Sequence, residues 1–161
     1  MNHKIVVSLA SAEDAETLSL ILCTSIQYGC ILDHNNRPEV VTAWTKNKSF
    51  ASVSRWIEDS RLYLVVATLD AKPVGVGMAT KSGEIVLCYV LPEYFGRSIG
   101  KAIMVTLEEV LAEIGFDCST LNSTITGYSF YKHLGYQDNG EKIAVMGLTA
   151  SPMIKRLVPV N

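Results

Sequence analysis

The stretch with the clearest chemical content is Phe95-Gly96-Arg97-Ser98-Ile99-Gly100-Lys101. It follows a β-rich run ending at Pro92 and opens a long segment of helical periodicity. Gly96 and Gly100 bracket the helix start, where glycine lets the backbone approach a ligand. The first N–H groups of a helix have no acceptor within it, and with the positive end of the helix dipole they form an anion site. Arg97 and Lys101 add positive charge beside it. Taken alone, the pattern also suits a helix packed closely on a sheet through Gly100. The loop does not end in Gly-Lys-Ser/Thr and no Asp-rich metal site accompanies it, which argues against an ATP-binding loop.

The four cysteines, Cys23, Cys30, Cys88 and Cys118, form no Cys-x-x-Cys pair, and no His lies at zinc-finger spacing. No structural metal is expected, and the thiols read as small buried residues. Cys88 has no basic neighbour in sequence and is expected to pack rather than to act as a nucleophile.

Elements that could position the loop follow from periodicity. Residues 5–9 form a short β-rich run. Ser11 offers a helix N-cap with Asp14 three residues on, and Leu18, Ile21, Leu22, Ser25 and Ile26 predict an amphipathic helix over 12–28. A polar turn is expected over 33–38, a helix over 38–46 with Pro38 at its first position, and another over 49–57. Residues 62–67, 74–79 and 84–90, joined by short turns, predict an antiparallel meander ended by Pro92. A long helix from Ser98 to Gly115 leads to a strand over 117–121, expected parallel to the third strand of the meander because a helix carries the crossover. A short helix over 126–134 and a last strand over 143–148 complete the order. The expected fold is α+β, a single domain over 1–150 with a mixed, mostly antiparallel sheet flanked by helices, and a C-terminal tail over 151–161.

The 161 residues suffice for one sizeable core, and 48% hydrophobic with 19% charged residues excludes a disordered chain. With 14 basic and 16 acidic residues there is no basic excess, so nucleic acid is not an expected partner. No run of about 18 uncharged apolar residues occurs, and the N-terminus lacks a secretory pattern, so no membrane association is expected. Scattered cysteines in such a chain predict a cytoplasmic setting. Apolar residues in the last strand and tail would suit a homodimer.

The stretch Tyr89-Val90-Leu91-Pro92-Glu93-Tyr94-Phe95-Gly96-Arg97-Ser98-Ile99-Gly100-Lys101-Ala102 resembles the central motif of GCN5-related N-acetyltransferases: a Val-x-Pro strand end, a Gln/Arg-x-x-Gly-x-Gly/Ala loop and a long helix. Phe130-Tyr131-Lys132-His133-Leu134-Gly135-Tyr136 resembles the family's Phe-Tyr-x-x-x-Gly-Phe/Tyr segment, in the expected order. The resemblance covers residues 62–136. It departs at Phe95, where Gln or Arg is usual, and at Ser98, where the first loop glycine is usual. Serine is a good N-cap and keeps its N–H, whereas Phe95 removes a polar contact, which shifts the phosphate-binding burden to the N–H groups of residues 96–101 and to Arg97.

The resemblance implies acetyl-coenzyme A as acyl donor, without a metal, and an amine of a small molecule or peptide as acceptor. Gly96, Arg97, Ser98, Ile99, Gly100 and Lys101 would hold the pyrophosphate. N–H groups of Tyr89, Val90 and Leu91, on a strand end splayed from its neighbour, would hold the acyl carbonyl and pantetheine; one such donor contributes about 3 kcal/mol in measured cases. Tyr131 would donate a proton to the departing sulfur, as a phenol with pKa near 10 can at neutral pH. Thr124 and Thr126 would touch the coenzyme. For the base, Glu84 would act through a water or else simply cap a turn. Asp33 and His34 would face a cationic amine or else lie in a solvated loop. Phe130 is expected in the core. With Phe95, Ser98 and no unambiguous base, a non-catalytic acyl-coenzyme A-binding module is the alternative to an enzyme.

Overall fold

The computed structural model describes residues 3–159. Strand β1 (Ile5–Leu9) is followed by a 3-10 turn and helix α1 (Ala15–Gly29), where the Asp14 carboxylate accepts the Ser11 N–H at 2.8 Å. Three shorter helices come next: α2 (Ile31–His34), α3 (Pro38–Thr45) and α4 (Phe50–Glu58). Ser49 caps α4 by accepting the Ser52 N–H at 3.1 Å. Strands β2 (Leu62–Leu69), β3 (Lys72–Thr80) and β4 (Ile85–Val90) form the meander, with β1 added antiparallel to β2. The two-residue turn Asp70-Ala71 has positive φ at both positions, the geometry that matches strand twist in a tight hairpin.

Alternation along these strands divides the core in two. Leu64, Val66, Val76 and Met78 pack against Leu18, Leu22 and Val53 of α1 and α4. Val65, Ala67 and Val74 face the opposite side, where helix α5 (Ile99–Ile114) lays down Ile99, Ile103, Met104, Leu107 and Leu111. The helix can lie this close because β3 carries Gly77: a Cβ there would sit 2.3 Å from Ile103 Cγ2. Gly115 ends α5 at φ 115°.

Beyond α5 lie β5 (Cys118–Ser123), α6 (Tyr128–His133), β6 (Gln137–Asp138), β7 (Ile143–Val145) and β8 (Leu148–Arg156). Here the structure departs from expectation. Residues 151–156, expected to be a tail, are part of β8, which pairs antiparallel with β5 from Ser123↔Ser151 to Cys118↔Arg156. The expected last strand splits at Met146-Gly147, both of positive φ, into β7 and the start of β8. The parallel partnership expected between β4 and β5 is reduced to one bridge, Glu84↔Thr120, with Thr120 N–H donating to Gly83 O at 3.1 Å. Past that bridge the two sheets part, and β4 runs on to Val90 with one edge open. No helix of the described residues is long and apolar enough to cross a membrane.

Candidate active site

The parting of β4 from β5 opens a cavity of about 460 Å³ whose walls include Cys88, Tyr89 and Val90 of β4, Leu121 and Asn122 of β5, and the start of α5. Register decides which backbone groups of β4 face it. Leu91 N–H donates to Val74 O at 2.9 Å, making Leu91 and Val74 a hydrogen-bonded pair. Such pairs alternate in an antiparallel ladder, so Tyr89 pairs the same way with Val76, and the N–H of Val90 points to the open edge. Of the three expected donors, Val90 alone is therefore free; Tyr89 and Leu91 N–H groups serve the sheet.

At the head of α5, Gly96 (φ 76°) and Ser98 (φ 65°) are left-handed, and Arg97 between them is not. This alternation turns successive N–H groups to one side, forming an anion-binding concavity. None of the N–H groups of residues 96–101 meets a backbone acceptor, and the first bond of the helix is Ala102 N–H to Ser98 O at 3.1 Å. Gly96, Ser98, Ile99, Gly100 and Lys101 line the cavity. Ser98 does not cap the helix with its side chain, contrary to expectation; its left-handed φ accounts for glycine being usual there. Arg97 is not on the cavity wall. Its guanidinium lies 5.5 Å from the centre of the Tyr94 ring, which also carries Lys72 Nζ at 5.4 Å, so the two cations flank the loop. Phe95 leans on α1: a Cβ at Gly29 would lie 3.3 Å from Phe95 Cζ.

Tyr131 lines the cavity from α6, with its ring edge-on to Phe130 (5.1 Å) and Tyr136 (5.9 Å). Tyr136 is itself fixed, donating to the Glu108 carboxylate and accepting from the Ser119 hydroxyl, at 2.9 Å each. The Tyr131 hydroxyl has no hydrogen-bond partner among the described residues. Burial, with Cys88 and Tyr89 nearby, raises its pKa well above 10, so the proton stays on. Phe130 belongs to both core and wall: it packs on the main cluster, lines the cavity, and a Cβ at Gly100 would lie 3.0 Å from its Cζ. Burial pushes the Cys88 thiol up to about 12, and the Cys30 thiol likewise, with Asp33 contributing. Neither is a thiolate nucleophile at neutral pH, as expected of Cys88.

The expected bases do not come together here. His34 is fully buried; Nε2 donates to Ile26 O (2.9 Å) and Gln27 O (3.1 Å), and Nδ1 accepts the Asn36 N–H (3.0 Å). Both ring nitrogens are spent on holding the turn after α1. The buried Asp33 carboxylate accepts Ile125 N–H (2.6 Å), Thr126 N–H (3.1 Å) and the Thr126 hydroxyl (2.5 Å). Glu84 lies at the other end of β4 from Val90, about 20 Å along the strand, where its backbone closes the β3–β4 turn with Thr80. It is a turn residue, off the cavity wall. Thr124 and Thr126 do line the cavity, but their hydroxyls are engaged: Thr124 Oγ1 accepts Gly127 N–H at 2.9 Å, and Thr126 serves Asp33.

Sequence reading missed Ser25, on the α1 side of the cavity with Gly29 and Cys30. A serine amid the apolar face of α1 was the available signal. No cluster of three metal-ligating side chains occurs among the described residues.

The fold recurs in solved structures of low identity. A GCN5-related N-acetyltransferase structure from Rhodopseudomonas palustris matches with TM-score 0.83 at 23% identity, covering 98% of this chain and 99% of that one. The paia N-acetyltransferase of Thermoplasma acidophilum, in complex with coenzyme A, matches at 0.81 and 21%, over 95% and 99%. The putative acetyltransferase yncA of Salmonella typhimurium, with acetyl-CoA, matches at 0.70 and 14%, over 96% and 94%. An uncharacterized acetyltransferase of Streptococcus pyogenes is 30% identical over 105 residues, 63% of this chain and 71% of its own length. The family model of the acetyltransferase (GNAT) domain matches residues 32–157. The chain belongs to the GCN5-related N-acetyltransferase family of acetyltransferases.

Proposed function

We propose that the protein transfers an acetyl group from acetyl-coenzyme A directly to an amine of a small molecule or peptide. The observation that carries this reading is the open edge of β4. Val90 N–H points across it, and the cavity reaches around it from the nest and Tyr131 on the α5 side to Ser25, Gly29 and Cys30 on the α1 side. A donor held on one face and an acceptor on the other would meet at that edge.

Bound acetyl-coenzyme A would supply a thioester that is already activated toward amines. The residues fit it: the N–H groups of residues 96–101 suit the pyrophosphate, with Lys101 beside them. Val90 N–H is free for the acyl oxygen, a pre-oriented donor of the kind worth about 3 kcal/mol. Tyr131 retains its proton and an unpartnered hydroxyl, the state required to protonate a leaving sulfur.

No carboxylate or imidazole lines the cavity among the described residues. The acceptor therefore enters as the neutral amine, and its extra proton after attack leaves to water. Apolar walls favour this by disfavouring an ammonium ion. The same lack of a base favours the second reading, an acyl-coenzyme A-binding module without turnover. Calorimetric titration with acetyl-coenzyme A, followed by thiol-release assays over an amine panel, tests both. Binding with turnover supports the transferase, binding with no thiol release from any amine supports the module, and absence of binding removes both.

A further inference from the structure

The α1 side of the cavity carries a hydroxyl with nothing to bond. Ser25 is 2% exposed, and its Oγ is the one buried side-chain oxygen or nitrogen without a hydrogen-bond partner among the described residues. Other helical hydroxyls find a carbonyl: Thr45 Oγ1 donates to Val41 O, Thr106 Oγ1 to Ala102 O, and Ser19 Oγ of α1 to Lys48 O. Ser25 makes no such bond. A buried, unpaired hydroxyl is costly and calls for a partner, and this one belongs to the wall of the cavity beside Gly29, Cys30 and Tyr89.

The surroundings say what kind of molecule would supply it. No acidic side chain lines the cavity among the described residues, and its charged lining residue, Lys101, is positive. Asp33, the nearest candidate in sequence, spends both carboxylate oxygens on Ile125 and Thr126. A second ammonium group on the acceptor would find no carboxylate on the wall to pair with directly; the Asp33 charge, which reaches Cys30 and Tyr89, lies behind that wall. The wall includes the exposed ring of Phe95, and Tyr28, Ile31 and Ile125, next in sequence to lining residues, are large, apolar and exposed as well.

We propose that the α1 side of the cavity accepts a monoamine with an apolar aliphatic or aromatic body, and that Ser25 is a specificity-determining residue whose Oγ accepts an N–H of the amine, leaving the nitrogen lone pair free to attack. This rests on the transferase reading. Attack forms the N–C bond and breaks the C–S bond; the thiolate takes a proton from Tyr131, the nitrogen releases one to water, and water returns one to the Tyr131 oxygen.

The test uses the full chain with acetyl-coenzyme A and 2-phenylethylamine, hexylamine, putrescine, spermidine and kanamycin, read by thiol release, with binding of the coenzyme measured separately by calorimetry. The two monoamines are expected to exceed spermidine in kcat/KM at least about tenfold, one unpaired charge being enough for that. Ser25→Ala is expected to raise the KM for 2-phenylethylamine about fivefold, a typical hydrogen-bond loss, without weakening coenzyme binding or lowering the thermal midpoint. Preference for spermidine or kanamycin overturns the proposal and leaves the transferase standing. An unchanged KM in Ser25→Ala removes Ser25 from acceptor recognition. Coenzyme binding with no turnover of any amine overturns the transferase reading and the proposal together.

Discussion

Asp33 and Thr126, 93 residues apart, are joined by two hydrogen bonds, from the Thr126 N–H at 3.1 Å and its hydroxyl at 2.5 Å to the same carboxylate oxygen. The other oxygen takes the Ile125 N–H at 2.6 Å. The carboxylate thus ties α2 to the loop that leads into α6 and Tyr131. It fixes a distance between the two segments, and three of its four lone-pair positions are taken by the chain itself.

A structural tie and a catalytic base fail differently when removed. Asp33→Ala leaves two backbone N–H groups and a hydroxyl unpaired, and is expected to lower unfolding stability by about 3 kcal/mol. Turnover should persist with a raised KM, measured at a temperature where the variant is folded. A variant of undiminished stability that has lost turnover and the acid limb of its pH profile would instead make Asp33 the base.

Ser98 offers a second contrast. A capping serine replaced by alanine costs about 1 kcal/mol, but Ser98 has no side-chain cap bond, so Ser98→Ala should be neutral within about 0.3 kcal/mol. Ser98→Gly should stabilise by about 0.5–1 kcal/mol, the relief of φ 65° exceeding the added freedom of the unfolded chain. Urea unfolding of both variants checks the pair. Coenzyme affinity should hold in each, because the N–H groups that form the nest are unchanged.

What was legible in the sequence was local. The meander, the long helix and the nest at its head follow from period, turn residues and glycine placement, all within about 55 consecutive residues (62–115). The strand in place of a tail was hidden by Pro152, which argues against a paired strand. In the structure Pro152 needs only to accept there: its carbonyl takes the Asn139 N–H at 2.8 Å at the end of the β6 pairing. Asp33 and His34 sat in a polar run that reads as solvated. Nothing near them announces Thr126, or the carbonyls of Ile26 and Gln27 that claim the imidazole. The free N–H of Val90 depends on ladder parity, which no motif encodes.

Two thiols of the site, buried Cys30 and half-buried Cys88, make stability pH-dependent on the alkaline side. Cys30 and Cys88 are raised from 9.0 to about 12, chiefly by burial. Between these values the unfolded chain loses protons that the folded chain keeps, so stability falls as pH rises above about 9, by up to about 1.4 kcal/mol per pH unit for each thiol. Tyr131, raised above 10, steepens the loss further at higher pH. Urea midpoints at pH 8, 9.5 and 10.5 should decline accordingly, and a Cys30→Ala, Cys88→Ala double variant should decline less. A flat profile in the parent chain would contradict the raised pKa of both thiols.

Tyr131→Phe isolates the proton from the ring. The phenyl retains the edge-on contacts to Phe130 and Tyr136, so unfolding stability should change by less than about 1 kcal/mol. The hydroxyl makes no bond that its loss would strand. If it protonates the leaving sulfur, kcat should fall about 10²–10³-fold with little change in coenzyme affinity. The pH profile adds a second readout. Because the pKa of Tyr131 lies well above 10, the wild type should show no loss of kcat from its ionisation up to pH 10. The acid limb of kcat/KM should follow the acceptor's own pKa, moving with each amine, because the cavity wall supplies no carboxylate or imidazole. An acid limb at one fixed pH for amines of different basicity would require a titrating group of the chain instead. Asp33 and His34, held by their hydrogen bonds in the structure, would then be the groups to substitute.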